Sequence, residues 1–137
     1  MSYASRTQVP VDRSKTEIER ILVRYGAEGF GYLSSGSRVM IEFAFQGKRI
    51  RFLLQMPKRE ECSQSSYEQG SRQKWRALTL ILKAKLEAVE SDITTFEEEF
   101  LAHVVLPSGK TFGEQFIPQI EDMYASGKVP QLSWDGK

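Results

Sequence analysis

The stretch from Val39 to Met56 constrains the fold more than any other part of the chain. Val39, Ile41, Phe43 and Phe45 alternate with Met40, Glu42 and Ala44. After Gln46-Gly47, the residues Ile50, Phe52, Leu54 and Met56 alternate with Arg49, Arg51, Leu53 and Gln55. A period of two is the mark of strands that bury one face. The pattern also sets the register. Pairing Val39 with Leu54, Ile41 with Phe52 and Phe43 with Ile50 keeps these apolar side chains on one face and puts Glu42 against Arg51 on the other. A slip of one residue would set Ile41 against Arg51 and mix the faces. A three-residue bulged loop causes that slip, so a two- or four-residue loop centred on Gln46-Gly47 is favoured. Pro57 ends the second strand.

Helical spacing appears on both sides of this hairpin. Ser14-Lys-Thr-Glu17 fits a capping box, in which the Ser and Glu side chains each satisfy a free backbone N–H. Ile18, Ile21, Leu22 and Tyr25 follow as one apolar stripe, and Gly26 ends the helix. A short strand is expected around Phe30–Leu33, with a turn at Ser34-Ser-Gly-Ser37. Beyond the polar loop 58–65, Ser65-Ser-Tyr-Glu68 is a second capping box, and a long helix should run to Val89 or Glu90. Gly70 weakens its first turns, so its ordered start could be as late as Ser71. Trp75, Leu78, Leu82, Leu86 and Val89 form one apolar face of that helix. Ala77, Ile81, Ala84 and Ala88 form another, while Arg72, Arg76, Thr79, Lys83, Glu87 and Glu90 lie on a polar side. Two apolar faces imply a helix sandwiched between the sheet and a second layer.

The segment after residue 90 is the expected second layer. Thr94 or Thr95 caps a short helix with Glu97 or Glu98 completing the box, and Phe96, Phe100 and Leu101 face inward. Pro107-Ser-Gly109 makes a turn. Thr111-Phe-Gly-Glu114 opens a last helix that Pro118 breaks or kinks and Gly127 closes. An irregular tail follows, in which Trp134 can dock. The expectation is an α+β domain of 137 residues. It comprises an irregular arm (1–11), an α-β-β-β-α core with a three-stranded antiparallel sheet packed on a long helix (12–90), and a helical extension with a tail (91–137).

Composition narrows the function classes. The chain holds one cysteine, Cys62, and one histidine, His103. An internal disulfide is therefore excluded, and a four-ligand zinc site of the usual kind cannot be assembled. A Cys/His dyad would need those two residues to meet, and they sit in separate segments. Glu97-Glu98-Glu99 cannot converge on one ion, because neighbouring helical residues point about 100° apart. Negative charge is instead favoured at a helix N-terminus. Ser108-Gly109-Lys110-Thr111 echoes a phosphate-binding loop, but Val104 stands where the pattern requires glycine. The expectation is a protein with no catalytic residues, metal or cofactor. Residues 1–15 lack the apolar core of a secretory signal, and no apolar run approaches the ~20 residues that span a bilayer. A cytoplasmic protein with no membrane partner is expected.

Charge supplies the remaining clue. Residues 1–85 carry 16 Lys/Arg and 8 Asp/Glu, whereas residues 86–137 carry 3 and 10. Such asymmetry suggests a surface that meets a polyanion. The candidate contacts are Lys48, Arg49 and Arg51 on the hairpin and Arg72, Lys74 and Arg76 on the long helix. Lys58 and Arg59 lie between these groups, and Tyr67 and Trp75 are neighbouring aromatics able to stack on bases.

The α-β-β-β-α order is shared with the double-stranded-RNA-binding domain, a likeness of topology alone. A second likeness rests on residues. ASRTQVPVDRSKTEIERILVRYGA (4–27), KWRALTLILKAKLEAVES (74–91) and TFEEEFLAHVVLPSGKT (95–111) resemble an uncharacterised family of small proteins encoded by bacteriophages, prophages and other mobile elements. That resemblance implies origin in a mobile element and a bacterial host cell, and it brings no activity or site residues. Two functions are expected in turn. One is a non-enzymatic nucleic-acid-binding accessory protein acting in recombination, replication or regulation on DNA or RNA. The other is an inhibitor of host defence, like an anti-CRISPR protein, that binds an effector protein.

Overall fold

A computed structural model describes residues 6–127, and the expected tail with its docking Trp134 lies outside the described residues. The elements run α1 (Val11–Arg24), β1 (Gly29–Ser35), β2 (Arg38–Phe45), β3 (Lys48–Gln55), α2 (Gln64–Glu90), α3 (Phe96–Phe100) and α4 (Phe112–Ser126). Single 3₁₀ turns occupy Arg59–Glu61 and Leu101–His103. The three strands form one antiparallel sheet in the order β1-β2-β3.

The hairpin has the register that its pattern requires. Val39 pairs with Leu54, Ile41 with Phe52, Phe43 with Ile50 and Glu42 with Arg51. A two-residue loop joins the strands, with Gln46 at φ 50° and Gly47 at φ 78°. Two positive angles make a type I′ turn, whose twist matches that of the strands. Val39, Ile41, Phe43, Ile50 and Phe52 are buried on one face of the sheet.

Three helices cover that face side by side. Trp75, Leu78, Leu82 and Leu86 seat α2 at the centre of the core with Ile18 and Leu22 of α1 and Phe96 and Phe100 of α3. The phenyl ring of Phe100 meets Phe43 and Phe52 edge-on, with centroids 6.0 and 6.4 Å away, and Phe96 stacks on Phe45 at 4.2 Å. Helix α2 is therefore flanked, not sandwiched. Ile81 and Ala84, on the second apolar face, are exposed. The expected outer layer fails because α1 takes the flank read as polar. Thr79 is fully buried there, its hydroxyl donating to the Trp75 carbonyl at 2.9 Å, and Arg76 donates to Glu17 at 2.8 Å. Satisfied polar groups can be buried, so a polar flank does not forbid packing.

Helix ends differ from the sequence reading in two places. Helix α1 begins at Val11 after Pro10, and Ser14 lies inside it, fully buried, with no hydrogen-bond partner for its hydroxyl. Pro10 is the N-cap and its carbonyl accepts from the Ser14 N–H at 3.1 Å, while Glu17 is held by Arg76. Helix α2 begins at Gln64, capped by Ser63, whose hydroxyl accepts from the Ser66 N–H at 3.1 Å. It runs unbroken through Gly70. A Cβ there would stand 2.5 Å from Cγ of Pro57, so glycine admits the chain that leaves β3. The boxes at Thr95–Glu98 and Thr111–Glu114 form as expected. Leu101 faces outward instead of inward, and α4 continues through Pro118 without a break.

Candidate nucleic-acid interface

The six basic residues expected as contacts are divided by the sheet. Lys48, Arg49 and Arg51 belong to β3. Arg49 and Arg51 point to the uncovered face, and both hold Glu42. Arg49 reaches Oε1 at 2.6 Å and Arg51 reaches Oε2 at 2.8 Å, while Arg51 also donates to the Gly109 carbonyl at 2.8 Å. Partial burial pushes the Glu42 carboxyl up, but the hydrogen bonds from Arg49 and Arg51 outweigh it, and the net shift is downward. Two guanidinium groups that share one carboxylate are partly neutralised and held in place.

Arg72, Lys74 and Arg76 sit on α2, across the sheet from that cluster. Lys74 is exposed. Arg72 is half-buried and donates to Gln69 Oε1 at 2.6 Å, while Arg76 is occupied by Glu17. The aromatic neighbours are also committed. Trp75 is buried edge-on to Tyr32, and Tyr67 lies under Arg59, 4.5 Å from its ring centroid. Trp75 is thus part of the core and cannot stack on a base.

A different basic group emerges from the packing of α1 on α2. Arg13, Arg20 and Arg24 are seven and four residues apart, which places them on one flank of α1 about 10 and 6 Å apart along the axis. They line a groove of about 550 Å³ with Thr16, Glu17 and Lys83 of α2. All four cations are exposed. Among the described residues none of them enters an ion pair, while the one carboxylate lining the groove, Glu17, is held by Arg76. The acidic residues Asp12 and Glu19 lie on another flank of α1, away from the three arginines. Near the Arg24 end, Glu87 and Glu90 face Tyr25, whose hydroxyl is pushed up by burial and by their charge. The signal for this group was present in the α1 spacing, on a flank that carries Glu17 but neither Asp12 nor Glu19.

Folding brings the two halves of the charge split into contact at a few places, with Arg51 acting on Glu114 and Glu87 and Glu90 on Tyr25 beside Arg24. Of the ion pairs among the described residues, only Lys85–Glu99 joins the basic first 85 residues to the acidic remainder. The acidic segment packs beside β3, where Val104 bridges to Ile50 and the Val105 N–H donates to the Arg49 carbonyl at 2.9 Å. The basic groove lies on the α1 side of α2.

The two groups most open to chemistry each have local partners. The Cys62 thiol donates to the Lys58 carbonyl at 3.2 Å, and the His103 ring stacks on Phe52 with centroids 3.9 Å apart. Among the described residues no three His, Cys, Asp or Glu side chains gather as metal ligands would, and no helix is long and apolar enough to cross a membrane. The chain matches no family model, no curated protein and no solved structure.

Proposed function

We propose that the chain is a non-enzymatic nucleic-acid-binding accessory protein of a mobile element, and that it holds a phosphate backbone against α1. The observation that carries this reading is the set of four cations, Arg13, Arg20, Arg24 and Lys83, around one open groove without an ion pair among the described residues. Arginine presents a fork of donors that fits phosphate oxygens, and none of these guanidinium groups has to leave a carboxylate to do so, although Arg24 also lies over the Tyr25 ring at 5.9 Å. The hairpin residues Arg49 and Arg51 support the reading less, because binding a phosphate would compete with Glu42. Groove and cations offer no base-edge code, so the contacts are to backbone and the binding is sequence-tolerant. The resemblance to proteins of mobile elements supports the setting alone, and the excess of Lys and Arg in residues 1–85 motivates a role in recombination, replication or regulation.

Fluorescence anisotropy with labelled duplex DNA, single-stranded DNA and RNA, read across a salt series, tests the proposal. Binding should weaken steeply with salt, by about 0.9 log units for each phosphate neutralised per log unit of salt for duplex DNA. Absence of binding to all three at low salt, or affinity that salt leaves unchanged, would overturn it.

A further inference from the structure

Helix α4 carries a contiguous run of exposed apolar side chains. Phe116, Ile117, Ile120, Met123 and Tyr124 fall on one arc of it. Met123 and Tyr124 are 55% and 63% exposed, and Ile117 and Ile120 are 51% and 41% exposed. Its first half stands against the 3₁₀ turn Leu101–His103. Gly113 allows that approach, since a Cβ there would lie 2.9 Å from the Ala102 carbonyl oxygen. Between the two runs a groove of about 340 Å³, lined by Leu101, Ala102, Phe112, Phe116, Ile117 and Ile120. Scattered apolar residues on a surface need no explanation, but a contiguous helical face with a groove beside it marks an interaction site.

Charge states what kind of partner fits. Residues 91–127 hold seven Asp/Glu and a single lysine, Lys110. Glu98 borders the groove from the α3 side, while Lys85 and Glu99, which also line it, pair with each other. On α4 itself Glu114 and Glu121 flank the apolar arc on its other side. A second copy docked symmetrically would set these carboxylates against their own kind, which disfavours association. We infer that α4 and the Leu101–His103 turn form a docking surface for a basic amphipathic helix of a partner protein. Apolar side chains spaced three or four residues apart enter the groove, and lysines or arginines meet the glutamates along the rim. This surface is distinct from the arginine groove on α1, so the inference stands whether or not nucleic acid binds there.

The probe is a synthetic amphipathic peptide of leucine and lysine, with a leucine and glutamate counterpart as control. Both are titrated into the whole chain while methyl signals of Ile117, Ile120 and Met123 are followed by NMR. The lysine peptide should bind and shift those signals, and the glutamate peptide should not. Ile120→Ser, which keeps every charge, should weaken binding by roughly tenfold or more. Met123→Ser, further from the packed end of α4, should weaken it in the same direction should Ile120→Ser disturb the fold. Three results would overturn the inference. They are equal binding of both peptides, lysine-peptide binding that both serine variants leave intact, and concentration-dependent self-association in sedimentation that Met123→Ser abolishes.

Discussion

Ser14 shows how one residue can be read two ways. Its place ahead of Thr16 and Glu17 fits an N-cap, whose replacement by alanine ordinarily costs ~1 kcal/mol. In the folded chain it is buried inside α1 with its hydroxyl unpaired. An unsatisfied buried hydroxyl is a penalty of about 1–3 kcal/mol that alanine removes. Ser14→Ala should therefore leave stability unchanged or raise it, as chemical denaturation will show, and a drop near 1 kcal/mol would restore the capping role. His103 makes a second residue-scale prediction. Burial, helped by Lys85, lowers its pKa below the usual value of 6.5, although a bond to the Arg51 backbone pulls the other way. The unfolded chain then binds the proton more readily than the folded one. Stability should fall as pH drops below about 6.5, before the carboxylates Glu42, Glu99 and Glu114, all shifted down, begin to take up protons below 4.5. His103→Phe keeps a ring against Phe52 and should flatten the thermal-midpoint profile between about pH 7 and pH 5. An unchanged slope would assign the effect elsewhere.

At the scale of elements, period and register carried most of the information. The β2-β3 pairing was legible because each side chain on the hairpin satisfies only one register. Its sharpest check compares neighbours on opposite faces. Phe52 is 8% exposed and Leu53 45%. Phe52→Ala should destabilise by ~3–5 kcal/mol and Leu53→Ala by clearly less, and equal midpoints in denaturant would contradict the facing. The layering of α2 was not legible. Its wheel shows two apolar arcs of similar weight, yet the alanine-rich arc offers little area to bury. The polar flank instead packs on α1, setting Thr79 beside the Ser14 carbonyl and Arg76 beside Glu17, pairs 65 and 59 positions apart in sequence. No local pattern reveals a partner that distant. For the same reason Leu101 could be placed on a helix but not assigned a side.

Across the whole molecule, charge was legible in sum and not in place. The excess of Lys and Arg in residues 1–85 pointed to a polyanion surface, and in the fold part of it meets the acidic end, as at Lys85–Glu99 and at Arg51 beside Glu114. Which cations are free depends on which carboxylates fold beside them. Glu42 claims Arg49 and Arg51, Glu17 claims Arg76, and Arg13, Arg20, Arg24 and Lys83 are left facing one groove. The molecule thus presents a basic groove near α1 and an acidic apolar face on α4, each suited to a different partner. The central claim is that the α1 arginines, not the hairpin cations, hold the phosphate backbone. The most direct test is the salt slope of duplex-DNA binding in two variants. Arg13→Gln, Arg20→Gln and Arg24→Gln together should reduce that slope by about 2–3, close to 0.9 for every phosphate no longer neutralised, with the circular-dichroism spectrum unchanged. Lys48→Gln with Arg49→Gln should leave the slope within about 1 of the parent. A slope that holds in the α1 variant and collapses in the hairpin variant would contradict the account.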